Sequence, residues 1–239
     1  MKKSSLTKPA YQPLRTLYQP IIDIRSNQVF GYEALTRGHG KFRFPGDLFR
    51  FSYEAGCTPE LDYDCFKAAF RILPQLTPEQ YLFVNVEPIT LNDFFVKGDI
   101  VDLLLKKMGG CRKQIVFELT EGMKARDFRY VQRAVRFLRK HGCRFAIDDV
   151  AGIGSKLFLL FSLKPDFLKI DISLVRGIWK NKLQQGLLHR VLELGEEIGS
   201  LVVAEGVEQK KDLDFIRGLG IPYVQGFYFG RPKKTLFKF

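Results

Sequence analysis

The sequence is short of the residues that signal disulfide, zinc or membrane chemistry. Its 239 residues include four cysteines (Cys57, Cys65, Cys111 and Cys143), and no two form a CxxC pair. The three histidines, His39, His141 and His189, complete no zinc pattern with them. Buried, reduced thiols and a cytoplasmic location are therefore the expectation. The N-terminus is basic but polar through Ser4, Ser5 and Thr7, so it lacks the apolar stretch of a signal peptide. No apolar run approaches the ~20 residues of a membrane helix. The longest candidate, Leu157 to Leu163, is far shorter. No Gly-x-Gly-x-x-Gly opens a helix after the first strand, which argues against a dinucleotide-binding open sheet. No Pro/Ser-rich linker and no second composition regime divides the chain. One domain over residues 1–239, with 1–13 as a lead-in, is expected.

What is present can fill a core. Hydrophobic residues make up 46% of the chain and aromatics 13%, which argues against disorder. The length suits an α/β barrel. The formal net charge of +12 gathers partly at the ends. Another part lies on one predicted helix, where Arg126, Arg129, Arg133, Arg136 and Lys140 follow helical spacing, opposite Phe128, Val131, Val135 and Leu138. Such a stripe could meet an anionic partner. It carries no interleaved aromatics of the kind that stack bases, so nucleic acid is not the expected partner and a solvated face is.

Read in order, strands are predicted at Leu17–Ile24 and Val29–Leu35 around a Ser26-Asn27 turn, as an antiparallel hairpin. A short helix follows from Pro45 through Ala55. The next is expected to start with Thr58 as cap and Pro59 at its first position, and to end near Pro74. Thereafter strands (81–86, 115–119, 144–147, 167–172, 201–204 and 223–229) alternate with helices (about 91–108, to 140, about 156–162, 183–198 and 211–217). That alternation argues for parallel βαβ units, and their number for a closed barrel. Chemistry then belongs at the C-terminal ends of the strands.

The organising stretch is Arg144-Phe145-Ala146-Ile147-Asp148-Asp149, an apolar strand that stops on two carboxylates. Phe145 and Ile147 would face one side and Ala146 the other. Other strand-like runs end on Glu33, Asn85, Glu118, Asp171 and Glu205. Repeated delivery of hard oxygen donors to one rim suggests a shared Mg²⁺ or Mn²⁺ site. Adjacent Asp148 and Asp149 would let one carboxylate bridge two ions, a pairing suited to phosphodiester hydrolysis. Lys169, between apolar neighbours in a strand, would snorkel or hold a water. Arg37 suits a phosphate or an ion pair. Glu121 would cap the following helix or brace the loop after Asp149.

These residues resemble the EAL domain, the phosphodiesterase of the bacterial second messenger cyclic di-GMP. The motif itself is Glu33-Ala34-Leu35, within Gly31-Tyr32-Glu33-Ala34-Leu35-Thr36-Arg37. Tyr18-Gln19-Pro20-Ile21, Val84-Asn85-Val86, Glu118-Leu119-Thr120-Glu121, Ile147-Asp148-Asp149, Leu168-Lys169-Ile170-Asp171, Ala204-Glu205-Gly206-Val207-Glu208 and Gln225-Gly226-Phe227-Tyr228-Phe229 run in family order. The resemblance implies a modified TIM (β/α)8 barrel with the first strand antiparallel to the others. It implies two divalent cations, Mg²⁺ or Mn²⁺, held by Glu33, Asn85, Glu118, Asp148, Asp149 and Glu205, with Asp148 bridging. Lys169, Glu205 and Glu33 would be catalytic, with Lys169 on the attacking water. Gln19, Leu35, Arg37, Asp171, Glu208 and Gln225 would lie in or beside the substrate pocket, and Glu121 would brace the loop. The implied reaction is hydrolysis of cyclic di-GMP to linear pGpG by a homodimer.

One segment departs from the family. Val150-Ala151-Gly152-Ile153-Gly154-Ser155-Lys156 stands where the family has Phe-Gly-Thr/Ala-Gly-Tyr/Phe-Ser-Ser, and moving glycines moves the positions where positive φ is easy. A second reading is therefore a weak or inactive EAL-type receptor for cyclic di-GMP. A third is a protein-interaction module using the basic helix. No sensory domain is evident, which leaves regulation by a separate protein partner open.

Overall fold

The computed structural model describes residues 13–96, 104–119, 128–150 and 160–237. Eight strands close into a barrel in sequence order: β1 (Arg15–Asp23), β2 (Gln28–Arg37), β3 (Tyr81–Val86), β4 (Ile115–Leu119), β5 (Arg144–Ile147), β6 (Phe167–Ile170), β7 (Leu201–Ala204) and β8 (Tyr223–Gln225). β1 runs antiparallel to both its neighbours, β2 and β8, and every other pairing is parallel. The fold is a modified TIM barrel, as the resemblance implied.

The strands are apolar on both faces because both faces are covered. Side chains alternate across each strand, and the alternation builds two layers inside the barrel. Ile21, Phe83, Val116, Ala146, Phe167, Val203 and Tyr223 form an inner apolar plug. Phe30 joins it at a bulge, where pairing jumps from Ile21–Gly31 to Ile22–Val29, and its ring stacks on Tyr223 at 3.9 Å. Two residues along each strand from that plug stand Gln19, Asn85, Glu118, Asp148, Lys169, Glu205 and Gln225. The outward residues Leu82, Val84, Phe117, Phe145, Ile147, Leu168, Ile170, Val202 and Val224 meet the helices in the main core.

Helices form where apolar residues recur at helical spacing. Helix Phe128–Lys140 buries Val131, Ala134, Val135 and Leu138, and leaves Arg129, Arg133, Arg136 and Lys140 exposed. Each fully buried Val or Leu contributes roughly 1.5–3 kcal/mol. Helix Lys182–Ile198 starts where the Asn181 side chain accepts from the Leu183 and Gln184 amides, and stops at Gly199 with φ +74°.

Several boundaries differ from the sequence expectation. Thr58 is not a cap: Cys57 holds that position, Thr58 is the first helical residue, and its hydroxyl meets Ser52 Oγ at 3.2 Å. The helix ends at Ala69, and a 3-10 segment, Phe70–Gln75, carries Pro74. β8 stops at Gln225, because Tyr228 and Phe229 turn back to bond with Val207 and Gly226. Of the four thiols, Cys65 and Cys143 are buried, whereas Cys57 and Cys111 are half-buried. The helix expected over 91–108 is described as Pro88–Val96 and 104–108. The 1–13 lead-in (save residue 13), Glu121, Arg126 and the altered loop beyond Val150 lie outside the described residues.

Candidate active site

The polar layer is built from backbone register. Glu33 sits opposite Gln19 in the β1–β2 hairpin, and Asn85 is in register with Glu118 across β3 and β4. Asp148 and Glu205 stand one residue beyond β5 and β7, and their amides bond to Leu119 O at 3.3 Å and Ile170 O at 2.9 Å. Glu33 is not at a strand end as expected. β2 runs four residues past it, because the hairpin with β1 continues after the ladder to β3 ends at Ala34.

The side chains converge on one buried cation. The Lys169 ammonium, 1% exposed, lies 2.5 Å from Glu205 Oε1 and 2.7 Å from Glu118 Oε1. Glu33 Oε2 and Asp148 Oδ1 follow at 3.6 and 3.7 Å. The lysine does not snorkel. Burial opposes its charge, yet the four carboxylates outweigh burial and hold its pKa well above the ordinary value. Burial pushes Glu118 well above the usual carboxylate range against the pull of Lys169, and pushes Glu205 up to about 8.

Amides frame the cluster. Gln225 Nε2 donates to Glu33 Oε2 at 2.6 Å and to Gln19 Oε1 at 3.2 Å, and Gln19 Nε2 donates to Gly230 O. Asn85 Nδ2 donates to Glu33 Oε1 at 3.3 Å. Asp149 turns the chain with φ +53°, a left-handed conformation that aspartate tolerates better than most residues, and its amide donates to Asp148 Oδ1 at 2.9 Å. Gly206, after Glu205, has φ +68°, and a Cβ there would fall 2.2 Å from Ile172.

Beside the acids lies a cavity of about 280 Å³ lined by Leu35, Arg37, Phe49, Phe66, Asn85 and Glu87. Asn85 links the two spaces. Arg37 is half-buried and donates to Thr36 O at 2.8 Å; burial lowers its pKa while Glu33 opposes that shift. The structure does not bring Asp171 and Glu208 into the acid cluster. Asp171 caps the short helix Ile172–Val175 by accepting from Ser173 N at 2.7 Å, and Glu208 pairs with Arg176 at 2.8 Å.

Sequence pattern does not single out Asp62. It is buried on helix Thr58–Ala69 and accepts from Thr90 Oγ1 at 2.6 Å and Glu87 N at 2.9 Å, which fastens the turn leaving Asn85. Burial pushes its pKa up to about 7. The one signal in the sequence is its place beside Leu61, Cys65 and Phe66, on the face that packs inward.

The donor set suits a hard cation. It consists of carboxylates and one amide; Glu118 Oε2 is buried without a hydrogen-bond donor, while Glu118 Oε1 and Glu205 Oε1 face only the Lys169 ammonium. As the side chains stand, no three His, Cys, Asp or Glu among the described residues are arranged to hold one ion. The acids surround the ammonium instead.

Fold and site together define a class: a TIM-type barrel with a reversed first strand and an acidic well at its mouth. The chain belongs to the EAL domain family, whose model matches residues 9–232. It is 30% identical over 225 residues to a probable cyclic di-GMP phosphodiesterase, PdeN, of Escherichia coli K12, covering 90% of this chain and 42% of that protein. The cyclic di-GMP phosphodiesterase PdeF of the same organism is 26% identical over 91% of this chain and 30% of its own length. The chain thus spans less than half of these curated relatives. Among solved structures, the calcium/cy-diGMP complex of Klebsiella pneumoniae BlrP1 matches with a TM-score of 0.82 and 29% identity, over 94% of this chain and 57% of that one. A standalone versatile EAL protein from Vibrio cholerae O395, in its c-di-GMP bound form, matches at 0.82 and 26%, over 96% and 94%. No helix among the described residues is long and apolar enough to cross a membrane.

Proposed function

We propose that this chain is a metal-dependent phosphodiesterase that opens cyclic di-GMP to linear pGpG. The observation that carries the reading is the convergence of Glu33, Glu118, Asp148 and Glu205 on Lys169 at the mouth of the barrel. Family membership and the cyclic di-GMP named with its relatives and structural neighbours support the choice of substrate.

Glu33, Asn85, Glu118, Asp148, Asp149 and Glu205 would hold Mg²⁺ or Mn²⁺. Such ions would supply an acidified water and neutralise charge on the phosphoryl oxygens. Lys169 positions and polarises the attacking water while its ammonium offsets the carboxylates around it. Glu205, 2.5 Å from that ammonium, would in its ionised form take up the water's proton. The water oxygen bonds to phosphorus, the bond from phosphorus to O3′ breaks, and O3′ leaves with a proton. Arg37 and Leu35, in the adjoining cavity, would bind the remainder of the dinucleotide. Gln225 and Gln19 orient Glu33.

The test is product analysis. Purified protein with Mg²⁺ or Mn²⁺ should yield pGpG, and Glu33→Ala should yield none. Turnover by that variant equal to wild type would sink the reading. The sequence departure at 150–156 favours one alternative, a receptor that binds cyclic di-GMP without cutting it. Tight binding with no product at any metal concentration would establish that alternative.

A further inference from the structure

A second cavity, of about 570 Å³, adjoins the first and has a different chemistry. Among the described residues, Arg15, Arg37, Arg43, Lys234 and His39 line it, with Leu17 and two glycines besides, and no carboxylate. Arg15, Arg43 and Lys234 enter none of the salt bridges among the described residues, and Arg37 feels a carboxylate only from Glu33, on the side of the first cavity. Concentrating like charge in this way is unfavourable without an anion.

The backbone enforces the arrangement. Arg15 and Arg37 are direct partners across the β1–β2 hairpin, where like charges repel. The chain after Arg37 folds back on itself: Gly38 N donates to Phe42 O at 3.1 Å, Arg43 N donates to Gly40 O, and buried Phe42 anchors the turn against Leu48 and Leu61. A Cβ on Gly38 would lie 2.4 Å from Phe42 O, so the close approach requires glycine. Lys234 arrives from the far end of the chain. The reciprocal bonds between Tyr18 and Lys233, at 2.8 and 3.1 Å, pin that segment across β1. Three separate segments thus deliver cations to one hollow, and Arg37 lines both this hollow and the 280 Å³ cavity.

We propose that this hollow is an accessory site for a polyphosphate anion, such as pyrophosphate or the phosphate chain of a nucleotide, and that its occupancy draws Arg37 from the neighbouring cavity. Cationic fork donors with no carboxylate among the described lining residues match an anion of several charges better than a single phosphodiester. The regulatory half of the proposal rests on reading the neighbouring cavity as the cyclic dinucleotide pocket; the binding half does not.

Titration calorimetry with pyrophosphate tests it, in EDTA so that the metal ligands cannot contribute through an ion. One-site binding that weakens with added salt is expected. Arg43→Ala and Lys234→Ala should each weaken it roughly tenfold, as loss of a charge-assisted contact implies, whereas charge-keeping Arg43→Lys should retain most of it. The triple variant Arg15→Ala/Arg43→Ala/Lys234→Ala should bind cyclic di-GMP as wild type does, but lose the weakening of that binding by pyrophosphate. Absence of pyrophosphate binding at low salt, or equal binding by the triple variant, overturns the site. Pyrophosphate binding lost in the triple variant, together with no affinity for cyclic di-GMP in any form, keeps the site and sinks the dinucleotide reading instead.

Discussion

Replacing Lys169 with methionine probes the electrostatics of the well directly. The ammonium is 1% exposed and Glu118 is fully buried, so the variant strands at least one carboxylate without a counter-charge. Breaking a buried pair by removing one partner costs about 3–5 kcal/mol. The loss should depend on pH with a definite sign. Burial already raises Glu118 well above its ordinary value and Glu205 from 4.5 to about 8, and removing the lysine raises both further. A carboxyl whose folded pKa exceeds its unfolded one binds its proton more tightly in the folded state. Its contribution is present below the unfolded pKa and lost as pH rises through the folded value. Lys169→Met should therefore lose the least stability relative to wild type between pH 4.5 and about 7 and progressively more from pH 8 upward, where wild type begins to ionise Glu205 and the variant does not. On the proposed metal-site reading the freed oxygens would take a divalent cation, so Mn²⁺ should restore stability above pH 8 more in the variant than in wild type. Urea denaturation at pH 6 and pH 8.5, with and without Mn²⁺, reads all three effects. Equal stability of variant and wild type at pH 8.5 would refute the account of Lys169 as the well's counter-charge.

Other substitutions test the supports around the well. Asp62 holds a folded pKa of about 7 against 3.8, so its contribution to stability fades as pH rises through that window. Asp62→Asn, fixed in the neutral form, should gain on wild type by about 2–4 kcal/mol between pH 4 and pH 8 in urea denaturation. A constant difference would contradict the assignment. Gly206→Ala places a methyl 2.2 Å from Ile172 at φ +68°. It should lower stability by roughly 1–3 kcal/mol and shift Glu205, with Ile172→Ala recovering part of both losses in thermal melts and turnover. Gln225→Leu removes the donor 2.6 Å from Glu33 Oε2. Loss of a bond to a charged group is worth about 1.5–3 kcal/mol, so kcat/KM should fall roughly 10- to 100-fold.

Much of the barrel was readable because strands in a parallel sheet are continuous apolar runs with abrupt ends. The bounds of β3, β4, β5 and β7 follow from sequence alone, and the inner side of Phe145-Ala146-Ile147 is taken by Ala146 as alternation requires. β8 was over-extended because Phe227, Tyr228 and Phe229 look like strand residues. Their segment instead folds back on Val207, a tertiary contact with no local signal. Likewise β2 outruns Glu33, since its antiparallel partner supplies hydrogen bonds that β3 no longer does. The acids were legible as the polar residues on which apolar strand-like runs stop. The meeting of Glu33 on β2 with Lys169 on β6 depends on closure of the whole sheet and was not. Nor was the cationic hollow, because Arg15, Arg43 and Lys234 come together only through the Gly38 turn and the Tyr18–Lys233 bridge.

The most direct measurement of the central claim is anomalous diffraction from a crystal grown with Mn²⁺. Manganese peaks within coordination distance of the oxygens of Glu33, Asn85, Glu118 and Asp148 are the expected result. Peaks confined to other surfaces, with Lys169 still enclosed by all four carboxylates, would contradict it.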